Sequence, residues 1–571
     1  MPLRRAAALL FAAALAAAAR AGVEVAVAGA DEELAANVRA HLGLEGVACD
    51  LDARRFALVV ARAQPRIGRA LRALGYYRGR WRIERRRVGD CWRVEVHLEP
   101  GERARIAALE VTLEGPGEGD EVLRAALANL PLAVGDPLHH GRYEEAKRHI
   151  VQAALARGYF DGRFSRHRLV VDRRRGEARI ELRYQTGRRY AFGEVQLPDL
   201  FLDRALLARF VPFRPGDPYE VDALVRLETA LLDSGYFRRV AVDRGEPDRE
   251  TGRVPVALDL ELPPRHKSTF GVGYSTDLGP QLRYQFENRY LDRQGDRYDA
   301  DLALSPVASE VGYRFRRPGG DPTREENQFT LGFRQEDNDS FRNRSLEGGA
   351  ARVVALPHGW LATAQLTLLL EDFDVAARGD EVVYLYPGLA LDWSRADDPR
   401  LPRRGLRLSF GIQGAREDLL SSASFLQLRF SAKGILPALG GRLIGRLQGG
   451  FTAVDDFASL PASLRFFAGG DNSVRGYDYR ALGPTDDAGE VVGGRHLLAA
   501  GLEYDRRIAG DFGAALFYDA GTAFDRWRPH FAESLGFGLR WFSPIGPVRL
   551  DLAFPRQGGG VRLHISMGPD L

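Results

Sequence analysis

Cysteine, methionine and lysine are scarce in this chain: 571 residues hold two cysteines and two methionines, and almost every basic residue is arginine. Two cysteines exclude a disulfide-dense scaffold. Cys49 and Cys91 have no further ligands at metal-binding spacing, which argues against zinc. Charge of one sign is missing too. With 80 basic and 77 acidic residues the formal net charge is +3, so the chain as a whole is no nucleic-acid binder. Beyond the N-terminus no segment reaches the roughly 18 consecutive apolar residues of a membrane helix. There is no Gly-x-Ser-x-Gly element, no metal pair and no phosphate-cradling glycine motif. The expectation is therefore no enzyme, no catalytic residue, no cofactor and no metal.

The N-terminus is where apolar residues do collect. Arg4 and Arg5 precede a run from Ala6 to Ala19, and Ala19-Arg20-Ala21 fits a small-x-small cleavage site. This predicts a secretory leader over residues 1–21. An exported chain without membrane helices is either soluble or a β-barrel. Export also permits a disulfide between Cys49 and Cys91; two separate buried thiols are the alternative.

An internal repeat follows. LRALGYYRG, AALARGYFDG and ALLDSGYFRR recur at about eighty residues, each a helical pattern stopped by glycine and followed by two aromatics. The spacing exceeds solenoid periods and suits a string of small domains. Each copy opens on a strand (VEVAVAG, ARIAALEVTLEG, RRYAFGEVQL) and closes on two more, with two helices between. Asp31 and Asp120 stand as N-caps, and Gly75, Gly158 and Gly235 as C′ residues. The predicted order is β-α-α-β-β, an α+β domain, over residues 22–101, 102–187 and 188–264. Two copies carry a Gly-Asp-Pro linker that sets proline where a helix begins; the first copy lacks it. The adjacent His139 and His140 share no face, and read as a solvated turn. Each small sheet leaves an edge able to accept a strand from another chain.

From about His266 the texture changes. Alternating runs of ten or so residues, broken by Asp, Gly, Asn and Pro, continue to the end. This is the signature of a transmembrane antiparallel β-barrel over 265–571, with about 16 strands. Tyr284, Phe286, Tyr290 and Trp393 fall near segment ends, as girdle residues do. One segment is too long for a hairpin: FFAGGDNSVRGYDYRALGP lies in a loop of about 455–492.

Three Gly-Tyr-aromatic units ahead of such a barrel resemble the POTRA (polypeptide-transport-associated) domains of the Omp85 superfamily, most closely its TamA subfamily. The resemblance covers the whole mature chain and includes GGRHLLAAGLEYDRRI, LFYDAGTAFD and LRWFSPIGPVRLDLAFP. The chain ends in Leu571, not an aromatic, yet its GPDL ending resembles the same subfamily. The resemblance implies that the long loop folds into the barrel lumen, and that Arg475, Gly476 and Tyr477 form its motif. Arg475 is then paired with Asp519 of YDAG, with Gly521 giving room. It also implies a weak lateral seam between the first strand (about 268–277) and the last (about 561–569), with Gly271, Gly273 and Gly568 in or beside the edges.

The function so implied is an outer-membrane insertase for barrel proteins such as autotransporters, with the repeats in the periplasm. Its implied partners are a TamB-like inner-membrane-anchored protein, nascent barrel proteins and outer-membrane lipid, with a role in phospholipid transport alongside. The alternative is a two-partner-secretion exporter. Those relatives carry two repeats and usually a plug helix; here three repeats stand and no room is left for a plug after the leader.

Overall fold

The structure, a computed structural model, describes residues 22–376, 378–543, 546–558 and 560–567. The expected leader and the seam glycine Gly568 lie outside the described residues. By compactness the chain divides into two units. One holds residues up to 196 with 213–225 and 244–257; the other holds 197–212, 226–243 and everything from 258.

Each repeat forms a three-stranded sheet in which the last strand is central, parallel to the first and flanked by the middle one. In the first repeat the strands are Glu24–Ala28, Arg80–Val88 and Cys91–Glu99. Strict alternation puts Trp92, Val94, Val96 and Leu98 of the central strand inward, against Leu34, Val38, Phe56 and Ile67 of the helices. The caps are as expected. Asp31 accepts from the Leu34 amide at 2.8 Å, and Asp120 from Val122 and Leu123. Gly75, Gly158 and Gly235 all take positive φ, which a side chain would resist.

Three local expectations are corrected. The second helix of the first repeat is split into Ala53–Ala63 and Pro65–Ala73, because Pro65 has no amide to continue the ladder. The Gly-Asp-Pro linkers do not begin helices. Pro137 and Pro218 bridge to Arg105 and Ala191 of their repeats' opening strands, and the helices start later, at His140 and Val221. Flanking bonds hold each linker: Leu138 N–H to Ala104 O at 2.7 Å, Tyr219 N–H to Tyr190 O at 3.0 Å. His139 and His140 are no solvated turn. His139 caps the helix His140–Ala156 through the Arg142 amide, and His140 is hydrogen-bonded to the Tyr77 hydroxyl at 2.7 Å.

The first repeat, lacking that linker, is pinned differently. Cys49 and Cys91 are joined by a disulfide, so the segment ahead of its second helix is tied to the start of its central strand. Trp92 Nε1–H donates to the Leu51 carbonyl at 3.0 Å, and its ring stacks on Phe56 at 4.5 Å.

The second unit contains a 16-stranded sheet whose neighbours are consecutive in sequence from His266–Ser275 to Arg562–Met567. Neighbouring strands are antiparallel throughout. Along Phe512–Phe524 the residues Ala515, Phe517 and Asp519 are buried while Leu516 and Tyr518 face outward. On the neighbouring strands Leu502, Leu535, Leu539 and Leu550 are exposed outward while Glu503, Asp505, Arg540 and Asp551 are buried inward, the apolar-out and polar-in pattern that a lipid-spanning barrel requires. Aromatics gather at the end where the first strand leaves the repeats. Phe286, Tyr298 and Tyr313 follow one another at 6.0 and 5.4 Å, and Trp393 lies 6.2 Å from Trp360. Tyr290 belongs elsewhere: it packs on Phe201 and donates to the Pro263 carbonyl at 2.9 Å. Nearby, the Tyr236 hydroxyl of the third Gly-aromatic stop donates to Gly295 O at 2.6 Å, and Arg297 donates to Ser234 O at 2.9 Å.

Candidate functional site: the lumen loop and the lateral seam

The strands Gly441–Val454 and His496–Ala509 are paired, but the chain between them, 455–495, runs through the barrel interior. Its first limb is fixed to one wall. Leu460, Ala462 and Leu464 are buried against Phe373, Tyr384 and Phe425. Gln427 Nε2 donates to Leu464 O at 2.8 Å, and the Ser463 amide to Glu371 at 3.1 Å.

The loop then turns at Gly469 and Gly470, both at φ near 100° (104° and 97°), where only glycine is comfortable. A Cβ on Gly470 would meet Asp277 Oδ2 at 2.5 Å, so the second glycine also permits a close approach. This turn delivers Arg475 to the opposite wall, where it is 4% exposed.

Arg475 meets Asp519, as the resemblance implies: Nε donates to Oδ2 at 2.7 Å and Nη2 to Oδ1 at 3.2 Å. The pair is part of a larger network that sequence reasoning missed. Arg475 Nη1 donates to Glu503 at 2.8 Å and to Asp551 at 2.9 Å. Arg540 bridges the same two carboxylates at 2.7 and 2.5 Å. Arg446 reaches Asp519 at 2.8 Å. These bonds set three guanidiniums, Arg446, Arg475 and Arg540, against three carboxylates, Glu503, Asp519 and Asp551. The Arg475 guanidinium also lies 3.5 Å from the ring centroid of Phe517. Gly521 gives room to Val474 and Ala499, whose atoms a Cβ would meet at 2.9 and 2.7 Å, rather than to Arg475 itself. Tyr477 points its hydroxyl at Gln557 and the Glu533 carbonyl.

The loop also reaches the seam. The Gly476 amide, at φ 96°, donates to His564 Nε2 at 2.8 Å. That nitrogen is an acceptor, so the imidazole proton sits on Nδ1, 2.6 Å from Asp471 Oδ1. The Asp471 amide in turn donates to Asp277 Oδ2 at 2.7 Å. Asp277 follows the first barrel strand and His564 lies in the last, so the loop clips the two together. Both imidazole nitrogens are engaged, which makes this cluster a hydrogen-bonded clasp.

First and last strands share no ladder among the described residues. The backbone and hydroxyl bonds that cross the seam there all involve Thr276. Its amide donates to Ile565 O at 3.2 Å, its hydroxyl accepts from the Ile565 amide at 2.8 Å and donates to Leu563 O at 3.3 Å. Gly271 and Gly273 lie on the adjoining edge of His266–Ser275, between the outward Phe270, Val272 and Tyr274. A Cβ on Gly273 would meet nothing within 4 Å, so bare backbone there is not forced by crowding.

The Omp85 superfamily domain matches residues 276–569, and the POTRA domain TamA domain 1 matches residues 24–100. Among characterised proteins, outer membrane protein assembly factor BamA of Nitratidesulfovibrio vulgaris is 34% identical over 140 residues, 22% of this chain and 18% of that protein. BamA of Neorickettsia risticii is 22% identical over 392 residues, 63% of this chain and 51% of that protein. The chain thus spans at most about half the length of these relatives. The crystal structure of BamA from Haemophilus ducreyi lacking POTRA domains 1–3 shares the fold. Its TM-score is 0.67 at 14% identity, over 81% of this chain and 99% of that one. The chain belongs to the Omp85 superfamily and is an outer-membrane β-barrel protein whose N-terminal POTRA repeats lie in the periplasm.

Proposed function

We propose that this protein assists the folding and insertion of other β-barrel proteins into the outer membrane, and that its seam is the working part. The observation that carries this is the first strand, His266–Ser275. It offers its edge with no ladder partner among the described residues, and only Thr276 and the loop clasp hold it to the last strand. An edge of unpaired backbone groups in lipid is costly, and a nascent strand satisfies it by pairing. Energy comes from that pairing and from burying the client's apolar face. No chemical step, nucleotide or metal is part of the proposal, and no residue is assigned a catalytic role.

The finer reading is a TamA-type role. The TamA-type match to the first repeat supports it, as does the count of three repeats. Its clients are then barrel proteins such as autotransporters. Its partner is a TamB-like inner-membrane-anchored protein received by the repeats' sheet edges, and the pair also moves phospholipid.

The competing reading, a two-partner-secretion exporter, needs an open lumen. What weighs against it is the loop 455–495, which lies inside the barrel with Arg475 bound to the wall; the cavity left beside Arg446, Asp471, Glu503 and His564 is about 70 Å³. Comparing the outer-membrane and culture-medium proteomes with and without the protein separates the two. Loss of several barrel proteins from the membrane supports insertion. Loss of one secreted protein from the medium, with barrel proteins intact, supports export.

A further inference from the structure

The barrel end at which the first strand, His266–Ser275, begins carries a basic notch that neither the loop nor the seam uses. The tenth and eleventh barrel strands, Phe425–Ala438 and Gly441–Val454, turn there at 439–440. The twelfth and thirteenth, His496–Ala509 and Phe512–Phe524, turn beside them at 510–511. Strand direction alternates from His266, so both turns lie on the periplasmic side. A cavity of about 500 Å³ opens between them, lined by Leu401, Arg403, Leu439, Arg442, Arg506 and Arg507 among others.

The charges do not cancel. Asp505 is engaged by Arg442 through two bonds, one of them 2.9 Å. Among the described residues the one carboxylate paired with Arg507 is the exposed Asp511, at 3.8 Å, and its guanidinium lies 4.7 Å from the Phe542 ring centroid. The guanidiniums of Arg403 and Arg506 have no carboxylate partner among the described residues. The apolar side is equally unusual. Leu439 is held at φ 46° and is 88% exposed. A leucine pays steric strain in that conformation and gains nothing from water. It is explicable where its surroundings are acyl chains.

A second cavity, of about 720 Å³, shares Arg506 and Arg507 and runs up the lipid-facing wall. Ala514 forms its floor, with Ile508, Leu516, Phe537 and Leu539 around it. All four of these are at least half exposed, at 50–75%.

We propose that this notch binds one anionic glycerophospholipid of the inner leaflet. The headgroup phosphate lies with Arg403 and Arg506, and an acyl chain follows the groove over Ala514. Guanidinium forks match phosphate oxygens, and a net positive site disfavours a headgroup carrying its own ammonium. The site is independent of the insertase reading, because it rests on the rim and the outer wall alone.

The test is native mass spectrometry of the full chain in detergent, titrated with phosphatidylglycerol, phosphatidylethanolamine or inorganic phosphate. The expected result is one retained phosphatidylglycerol, with the phosphatidylethanolamine complex at least about 10-fold weaker. R403Q/R506Q should weaken retention of phosphatidylglycerol about 30-fold and erase the preference. A514W should block retention with both arginines present, in protein whose heat-modifiable gel mobility shows a folded barrel. If A514W does not fold, dihexanoyl phosphatidylglycerol serves instead, and should bind at least about 10-fold more weakly than the long-chain lipid. Equal retention of the two lipids, or no effect of the double substitution, overturns the proposal by leaving only bulk annular lipid. Inorganic phosphate competing as well as the lipid overturns it by leaving only an anion site.

Discussion

Thr276 holds Ile565 from both sides: its amide donates to the Ile565 carbonyl at 3.2 Å, and its hydroxyl accepts the Ile565 amide at 2.8 Å. One residue just past the end of the first barrel strand thereby supplies the bonds that cross the described part of the seam directly, beside the loop clasp. T276A removes the hydroxyl and its two bonds, worth about 1 kcal/mol each. The open-seam population should rise about 10- to 30-fold. Spin labels at V272C and L563C, on the outer faces of the two edges, should then show a second, longer distance. A single unchanged distance would assign the closure to something other than Thr276.

Asp277 makes the adjoining clasp sensitive to pH. Burial first, and then the Asp471 carboxylate, push its carboxyl up to about 6, against weaker lowering by the Asp471 amide and His564. The closed seam therefore binds this proton more tightly than the open one, where the carboxyl is solvated. Its stabilising effect is complete below the ordinary aspartate value near 4 and is lost as pH rises through 6. The same spin-label pair should show more open seam at pH 8 than at pH 5. D277N, which keeps an uncharged acceptor, should remove the difference. A D277N protein with the wild-type pH response would place the titrating group elsewhere.

R475A strands three carboxylates with two arginines. Removing one partner of a buried ion network typically costs about 3–5 kcal/mol. The folded, heat-modifiable barrel should lose that much resistance to urea, and insertion activity should fall with it. The pairing that the family resemblance implies suggests that swapping Arg475 and Asp519 would restore the pair. With Glu503 and Asp551 also on Arg475, the swap places a third acid against two others. R475D/D519R should be no better than R475A; a clear rescue would show that the other two carboxylates contribute little.

C49S/C91S should act on the first repeat alone. Closing a loop of 42 residues is worth about 4 kcal/mol in the chain-entropy account. Urea unfolding followed by proteolysis between residues 22 and 101 should shift to lower concentration, with the barrel's gel mobility unchanged. An equal loss in the barrel would contradict a local role.

Much of this was legible in the sequence because the signals are local. The Gly-aromatic stops mark where helices end, and the alternation from His266 marks a barrel. Arg475 and Asp519 stood out because each lies in a short family motif. Glu503, Asp551 and Arg540 did not: each is one charged residue among many on alternating strands, and their convergence depends on register. A faint sign existed in the glycines facing them. Gly538 pairs with Asp551 across the sheet, where a Cβ would meet Asp551 Oδ1 at 1.8 Å, and Gly501 gives Asp519 similar room. Thr276 and Asp277 were missed because the expected strand, about 268–277, made them ordinary ladder residues; the strand in fact ends at Ser275, so both stand in the turn and meet the last strand and the loop through their side chains. The Gly-Asp-Pro linkers misled because proline at a helix start is common, while the backbone bonds to the opening strand that hold it are invisible without the fold.

The most direct test of the central claim is to lock the seam. T276C/I565C oxidised to a disulfide should fold and reach the outer membrane, yet fail to insert a client barrel in reconstituted liposomes. Activity should return on reduction, with reduced wild-type protein as the control for Cys49–Cys91. Client insertion at the wild-type rate by the locked protein would contradict a lateral seam as the working part.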